Sequence, residues 1–408
     1  MSSTTDVTEP DAAAADVDEE QPAPPARTGQ DWTVRRVARI LAPALIFLGI
    51  REFGLLMLTL LAAANQLSMS AQLQAWDGQW FIGLAENGYG GIAGLGLVDA
   101  RGEFTAETPL AFFPGYPFAV RIFGQAIGIG PATAAIILTL VCGVIAAYGV
   151  ARIGRQVRGG SQRTGLILVV LFAASPMAIV LSTAYSEAMF CALAAWALVG
   201  VLERRWVLAG VCCAVAGLVR PTAAALILAV GLAALVAVIQ RKDSWRPWLA
   251  GVLAPVGLIG YLAWVGVRTG RWDGWFQVQQ DGWQSGFDGG AATMDFILRK
   301  LVRPDYPFEM FTIAFIFVAI GLVVLAIVRR LEWPLLVYGI GVLAMALASN
   351  GLMASKIRLM LPAFTLLIPV AVALARRRNS TMVLTLCGLT VFSAWLGAYG
   401  LTSWNFAI

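Results

Sequence analysis

The chain has 408 residues, of which 59% are hydrophobic and only 13% are charged. Soluble domains carry about 25% charged residues, so this composition with its long uncharged runs excludes a series of soluble domains and indicates a polytopic membrane protein. The net charge of +5 is better explained by short basic connections between apolar runs than by nucleic-acid binding.

Residues 1–30 are rich in Ala, Pro and acids and contain no apolar run, which predicts a disordered cytoplasmic tail and not a signal peptide. Residues 31–408 are expected to form one all-α integral membrane domain. Because about 20 apolar residues cross the hydrocarbon, the sequence predicts eleven transmembrane helices. They cover residues 40–64, 129–150, 164–182, 185–202, 206–220, 222–240, 247–267, 309–329, 333–349, 359–375 and 381–402.

The distribution of Lys and Arg predicts the orientation of these helices. If the N-terminus is cytoplasmic, most basic residues fall in short inner turns, as the positive-inside rule requires. The two long connections, 65–128 and 268–308, are then extracytoplasmic loops with short interfacial helices. The inner turns hold no recognisable chemistry, so we expect the functional site on the outer face of the cell membrane.

The first long loop begins with Trp76-Asp77-Gly78, directly after the first apolar run. Asp77 among aromatic residues is either a solvated acid in an interfacial anchor or a general base for a hydroxyl group at the membrane surface. The chain has no His, so a general base must be Asp, Glu, Tyr, Lys or Cys. Apolar residues at helical spacing predict an interfacial helix with one face in the headgroup region: Leu73, Trp76, Trp80 and Leu84.

Two further segments place polar and aromatic residues near this face. Pro114, Gly115 and Pro117 predict a rigid aromatic turn that contains Tyr116. The stretch from Ser182 to Glu187 predicts a polar connection between two helices, with Tyr185 inside it. Glu187 falls in the first turn of the next helix, where the helix dipole favours a carboxylate with or without a catalytic role.

Three cations at predicted membrane depth are candidates for binding phosphate. Arg220 lies between two apolar runs, and Lys356 and Arg358 stand at the outer entrance of a helix. Arg220 is either half of a buried ion pair, with Glu187 or Glu52, or a ligand of substrate. Lys356 and Arg358 either reach lipid headgroups or join Arg220 around a phosphate group.

The second long loop repeats the sequence Trp-Asp-Gly at Trp272-Asp273-Gly274 and continues with Gln and Trp to Trp283. Such residues suit a sugar, whose apolar face stacks on an indole, and equally suit an ordinary interfacial loop. The sequence contains no phosphate-binding glycine motif, and its cysteines lie in apolar runs without the spacing of metal ligands. We therefore expect no cofactor and no metal.

Five pieces in order resemble the Pig-V-like branch of the GT-C membrane glycosyltransferases. They are Trp76-Asp77 with Gly88-Tyr89; Phe112-Phe113-Pro114 with Tyr116-Pro117; Ala184-Tyr185-Ser186-Glu187 with Phe190; Gly217-Leu218 with Arg220-Pro221-Thr222; and Ser355 with Arg358 and Leu361-Pro362. The chain differs from many GT-C enzymes in having Trp-Asp-Gly instead of two adjacent acids. Ser355-Lys356-Ile357-Arg358 also departs from the family's usual Arg-Tyr ending.

The resemblance implies transfer of mannose from polyprenyl-phosphate mannose, with inversion, to a lipid-linked or glycolipid acceptor. It gives Asp77 the role of base. Arg220, Lys356 and Arg358 are then expected to bind the donor phosphate, and Trp76, Tyr116, Tyr185 and Glu187 to shape the pocket for sugar and acceptor. Two alternatives stay open: another polyprenyl-phosphate sugar such as arabinofuranose, and a multi-pass transporter or lipid flippase.

Overall fold

The computed structural model describes residues 29–404, 406 and 407, so the predicted tail lies outside the described residues apart from its last two positions. Apart from one isolated bridge between Phe287 and Ser349, regular structure in this part of the chain is helical. The α-helices are α1 (Gly29–Ala64), α2 (Met69–Leu73), α3 (Asp77–Gly91), α4 (Gly115–Ile127), α5 (Pro131–Gln156), α6 (Gln162–Ala173), α7 (Glu187–Leu202), α8 (Trp206–Gly217), α9 (Ala223–Ile239), α10 (Arg246–Leu253), α11 (Val256–Thr269), α12 (Gly274–Trp283), α13 (Ala291–Val302), α14 (Pro307–Val328), α15 (Trp333–Leu347), α16 (Lys356–Met360), α17 (Ile368–Ala375) and α18 (Asn379–Thr402). Single 3₁₀ turns cover Thr108–Ala111, Ala178–Leu181 and Leu361–Leu367.

Backbone contacts divide the chain into two compact units, Met1–Leu41 and Ala42–Ile408. In the described part of the first unit, residues 29–41 are helical. Every contact discussed below lies within the second unit, which contains the helical bundle and both long loops.

Six helical segments among the described residues are long and apolar enough to cross a membrane: Arg36–Ala64, Pro131–Gln156, Arg246–Thr269, Pro307–Val328, Lys356–Ala375 and Asn379–Thr402. Five more apolar helices, α6 to α9 and α15, have 10–17 residues. Each of the eleven predicted spans overlaps one of these helices. A helix of 12 residues rises only about 18 Å against a hydrocarbon core of about 30 Å. The count of eleven spans therefore stays a prediction.

Side-chain contacts gather the basic turns between the helices at one end of the bundle. Arg152 near the end of α5 pairs with Glu203 after α7, and the Arg158 backbone N–H donates to Glu332 Oε1 at 2.7 Å. We call this the arginine end. The side of the membrane that it faces stays a prediction.

Small residues allow the central helices to approach closely. A Cβ atom at Gly257 in α11 would lie 1.9 Å from the carbonyl oxygen of Ala214 in α8. A Cβ at Gly154 in α5 would lie 2.8 Å from the Cα of Gly165 in α6. Such contacts between small residues are the usual means by which helices pack in lipid, where hydrophobic burial between helices contributes little.

The predicted helix over 164–182 is interrupted. Helix α6 ends at Ala173, and the chain then runs irregularly to Ser186, with one 3₁₀ turn on the way. Pro176 has no backbone N–H to continue the helix, and Met177 takes a left-handed conformation with φ 56°. The segment is buried, so its free backbone groups need partners inside the protein.

Arg51 supplies two of these partners and so explains a cation inside an apolar helix. Its guanidinium is 1% exposed and donates to the carbonyl oxygens of Ala173 and Ala178, the latter at 2.5 Å. The Ser393 hydroxyl donates to the Ser175 carbonyl oxygen at 2.7 Å. These bonds fix the irregular segment at the depth where an unsatisfied carbonyl costs several kcal/mol.

Two expectations for the first long loop are corrected. The stripe predicted to lie among lipid headgroups is largely buried in protein, because Trp80 and Leu84 pack with Phe112 and Trp283 from elsewhere in the two loops. The predicted aromatic turn is the start of α4. Pro117 fits there because the first turn of a helix needs no backbone donor within the helix.

We expect Arg51→Met to destabilise the protein, because it leaves two buried carbonyl oxygens without donors, at about 1–3 kcal/mol each. The measurement is the midpoint of thermal unfolding in detergent. Glu52→Gln, next to Arg51 but exposed, is the matched control and should leave the midpoint unchanged. An Arg51→Met protein as stable as wild type would show that burying the guanidinium costs as much as its hydrogen bonds contribute.

Candidate active site

Asp77, the first residue of α3, forms an ion pair with Arg358 in α16. The distance between Asp77 Oδ2 and Arg358 Nη1 is 2.6 Å, and the two residues are 281 positions apart in the chain. The Asp77 side chain is 29% exposed, whereas that of Arg358 is 9% exposed. The carboxylate is therefore reachable from outside, and the guanidinium lies behind it.

Glu187 and Arg220 extend this pair into a line of alternating charges. Arg358 Nε lies 3.5 Å from Glu187 Oε1, and Arg220 Nη1 lies 2.8 Å from the same oxygen. Arg220 also donates to the Ser186 hydroxyl at 2.9 Å. We call Asp77, Arg358, Glu187 and Arg220 the charge cluster, and the end of the bundle that holds it the site end.

The structure shows which of the two acids considered for Arg220 is its ion-pair partner. Glu187 has no exposed side-chain surface and contacts Arg220, whereas Glu52 is exposed on α1. The contacts are close, but their geometry leaves hydrogen-bonding capacity unused. Both oxygens of Glu187 and the Nε atoms of Arg220 and Arg358 are buried without a well-aligned hydrogen-bond partner. Buried polar groups are rarely left so, which makes the cluster a candidate for binding a polar group.

Tyr185 connects the irregular segment to the chain just before Asp77. The Arg358 guanidinium lies over its ring at 5.1 Å, and its hydroxyl donates to the Ala75 carbonyl oxygen at 3.2 Å. Trp76 follows with φ 57° and ψ −120° and a side chain that is 40% exposed. A non-glycine residue in that region is strained, and such strain is concentrated at functional sites. Tyr185 and Trp76 therefore stand beside the charge cluster, and their predicted part in a sugar pocket stays a prediction.

Two of the quoted motifs meet at one close backbone contact. The Gly115 N–H donates to the Leu218 carbonyl oxygen at 2.7 Å, and a Cβ at Gly115 would lie equally close to that oxygen. Glycine at this position thus brings the start of α4 against the turn that carries Arg220.

Tyr116, the next residue, is fully buried and lies beneath the charge cluster. Its hydroxyl is 2.7 Å from the Thr139 hydroxyl, which donates to the Tyr185 carbonyl oxygen at 3.3 Å. In this structure it supports Tyr185 from within the bundle.

Lys356 lies two residues from Arg358 but outside the charge cluster. Its ammonium group donates to the carbonyl oxygens of Ala346 and Ser349 at 2.7 and 2.6 Å, where it closes the end of α15. The Asp288 carboxylate also attracts this ammonium group. A hydrogen bond from the Ala292 N–H is the main cause that holds the pKa of Asp288 below its ordinary value. The contacts of Lys356 are thus those of a helix cap.

A second feature at this end is a cavity of about 530 Å³ between the two long loops. Gln280, Trp283, Gln284 and Asn350 are among its lining residues. The Trp283 ring packs edge-on against Trp80 with centroids 6.0 Å apart. Because Trp80 lies one helical turn after Asp77 in α3, the cavity is close to the charge cluster. Asp273, in the other Trp-Asp-Gly sequence, instead pairs with Arg271 within its own loop.

Sequence reasoning did not assign functions to Thr139, Asn350 or Arg51. Each of them forms a hydrogen bond with a residue far away in the chain. Local spacing and composition give no signal of such a contact. Among the described residues, no three Cys, Asp or Glu side chains gather in an arrangement that could hold a metal ion.

Comparison with known proteins finds a match over residues 109–264 to the family described as dolichyl-phosphate-mannose-protein mannosyltransferase. The matched segment contains Tyr185, Glu187 and Arg220 and excludes Asp77 and Arg358. It covers less than half of the chain, and the Pig-V-like resemblance stays a prediction. No curated protein matches the chain.

Two solved structures are similar to the chain at low sequence identity. ArnT from Cupriavidus metallidurans in the apo state has 14% identity and a TM-score of 0.45 over 72% of this chain and 65% of that one. The archaeal oligosaccharyltransferase AglB from Archaeoglobus fulgidus, in complex with an inhibitory peptide and a dolichol-phosphate, has 15% identity and a TM-score of 0.44 over 88% of this chain and 56% of that one. The chain thus spans less than two thirds of either protein.

We expect Glu187→Gln to destabilise the protein strongly, because it leaves two buried guanidinium groups without their shared carboxylate. Removing one partner of a buried ion pair costs about 3–5 kcal/mol. The measurement is thermal unfolding in detergent. Glu203→Gln, which removes a more exposed carboxylate from Arg152 and Arg205, is the control and should cost about 1 kcal/mol or less. Equal losses in the two variants would contradict the view that Glu187 organises the site.

Proposed function

We propose that the chain is a membrane glycosyltransferase that transfers mannose from polyprenyl-phosphate mannose to a lipid-linked or glycolipid acceptor at the extracytoplasmic face. The observation that carries the proposal is the charge cluster, in which a reachable carboxylate stands in front of two buried arginines. The family that matches residues 109–264 is described by a dolichyl-phosphate-mannose donor, which belongs to the same chemical class.

In the proposed reaction, the acceptor hydroxyl oxygen attacks the anomeric carbon of mannose from the face opposite the phosphate. A carbon–oxygen bond forms to the acceptor, and the bond from the anomeric carbon to the phosphate oxygen breaks. Asp77 takes the proton of the hydroxyl, and the polyprenyl phosphate leaves with the electron pair. The configuration at the anomeric carbon is inverted because attack and departure are in line.

Arg358 links the two halves of this reaction. It pairs with Asp77 in the structure, and a guanidinium is also a strong donor to phosphate oxygens. A donor phosphate that binds Arg358 would compete with Asp77 for the same N–H groups. Donor binding would then release the Asp77 carboxylate to accept a proton. Arg220, held in place by Glu187, would supply the second positive charge near the leaving group.

The remaining predicted residues have supporting roles in this proposal. Trp76 and Tyr185 flank Asp77 and Arg358 and would contact the mannose ring. The cavity beside Trp283 offers an indole and amide groups, which suit the hydroxyls of a sugar-bearing acceptor. Lys356 is already bonded to two carbonyl oxygens, so we assign the donor phosphate to the two arginines.

We expect Asp77→Asn to abolish transfer without unfolding the protein, because the amide can accept a hydrogen bond but cannot take the proton. The assay is transfer of radiolabelled mannose from polyprenyl-phosphate mannose to endogenous lipid in membranes. Asp273→Asn alters the equivalent position of the other Trp-Asp-Gly sequence and is the matched control, with activity expected near wild type.

Other outcomes of this assay would redirect the assignment. Activity retained by Asp77→Asn would move the base to another acid, such as Glu187 or Asp281. No product from folded wild-type protein would contradict mannose transfer. The same assay with polyprenyl-phosphate arabinofuranose would then test the other sugar, and movement of lipid without bond formation would favour a flippase.

We expect Arg358→Lys to lower kcat by about 10²–10³, because an ammonium keeps the charge but loses the fork that reaches two partners. Arg268→Lys, at an exposed arginine of α11, should leave kcat and KM unchanged. Steady-state kinetics with varied donor concentration provide the test. An effect confined to KM for the acceptor would remove Arg358 from the phosphate site.

A further inference from the structure

A basic cavity lies at the arginine end, on the opposite side of the bundle from the charge cluster. The segment that begins with Lys356 and Arg358 at the site end runs through α17 and reaches the cavity at Arg376. The cavity has a volume of about 480 Å³. Its charged lining residues are Arg158, Arg329, Arg330, Arg376, Arg377 and Glu332.

The five arginines that line this cavity lack acidic partners among the described residues. In the part of the chain that the structure describes, none of the five forms an ion pair. The carboxylate of Glu332 accepts the backbone N–H of Arg158.

Three other arginines of the same end form ion pairs. Arg152 and Arg205 share Glu203, and the hydrogen bond from Arg152 is the main cause that lowers the pKa of that carboxyl. Arg204 pairs with Asp243 at 3.0 Å. Positive charge on the inner turns alone would explain basic residues throughout this end. It does not explain why five arginines without ion pairs line one cavity.

The inner wall of the cavity is apolar and belongs to a predicted membrane span. Ile368, Pro369 and Val372 of α17 line it. A cavity lined by both guanidinium groups and apolar side chains matches a molecule with a phosphate head and a hydrocarbon body. Basic pockets between membrane helices bind lipid headgroups in this way.

We propose that this cavity binds the phosphate headgroup of an anionic lipid in the leaflet at the arginine end. The guanidinium groups would surround the phosphate oxygens, and the acyl chains would pass along the apolar wall into the bilayer. This site is separate from the charge cluster and does not depend on the reaction proposed there.

The test uses the purified full-length chain in detergent, with phosphatidylglycerol as the probe and phosphatidylcholine as the uncharged comparison. Phosphatidylglycerol should raise the midpoint of thermal unfolding, and phosphatidylcholine should not. In Arg329→Gln/Arg376→Gln the affinity for phosphatidylglycerol should fall by roughly thirtyfold, since each arginine near the surface contributes about a factor of five.

The matched control removes two exposed arginines from the same end but outside the cavity, as Arg241→Gln/Arg246→Gln. It removes the same net charge but leaves the cavity intact, so it should bind phosphatidylglycerol like wild type. Equal weakening in both double variants would overturn the site in favour of general surface charge. The single variant Arg330→Gln, expected to lose about fivefold in affinity, repeats the test should the double variant fail to fold.

Inorganic phosphate distinguishes the lipid from a soluble ligand. At millimolar concentration and without lipid, it should stabilise wild type far less than phosphatidylglycerol does, because it cannot use the apolar wall. Equal stabilisation by inorganic phosphate, lost in the same double variant, would overturn the lipid assignment and identify a soluble phosphate compound as the occupant.

Discussion

The carboxylate of Glu187 is the constraint on which the candidate site depends. It has no exposed surface, and an ionised acid in such a place is stable only beside positive charge. Arg220 and Arg358 meet this requirement from two other parts of the chain. Their positions then determine where Asp77 can form an ion pair. Electrostatic attraction, in addition to packing, thereby holds three segments together: the first turn of α7, the turn before α9 and the short helix α16.

The position of that carboxylate follows from the break in the helix predicted over 164–182. Had the chain continued as a helix beyond Ala173, Glu187 would stand inside a span with no free backbone amides near it. The break places it at the start of α7, where the helix dipole favours negative charge. The freed carbonyl oxygens are bonded by Arg51 from the first helix. One buried cation thus maintains the break, and the break positions the acid.

The sequence predicted the helical class and the polar residues of the site better than it predicted their partners. Apolar runs are local signals, so each predicted span overlaps a helix of the structure. Ionisable residues at membrane depth are costly enough to stand out, which drew attention to Glu187, Arg220 and Arg358. Trp80 and Leu84 are buried because the second loop folds over them. No pattern in the sequence of the first loop indicates that contact.

Lys356 and Arg358 show the same limit at a finer scale. Both are cations at the mouth of one helix, and their sequence positions favour the same role. Their surroundings separate them, because one ammonium meets two carbonyl oxygens at the end of α15 and the other side chain meets two carboxylates. Only the neighbours of each cation in the folded structure determine whether it bonds backbone oxygens or pairs with acids.

The order of the four charges along the chain has a consequence for biosynthesis. A ribosome delivers Asp77 first, then Glu187 and Arg220, and Arg358 only after α14 and α15 have entered the membrane. Glu187 can pair with Arg220 soon after both are synthesised. Arg358, the partner of Asp77, is synthesised 281 residues after it. Until the last part of the bundle inserts, the nascent protein carries an unmatched carboxylate at its surface. The site is therefore completed only once α16 is in place, and a chain that stops short of α16 is assembled without its site.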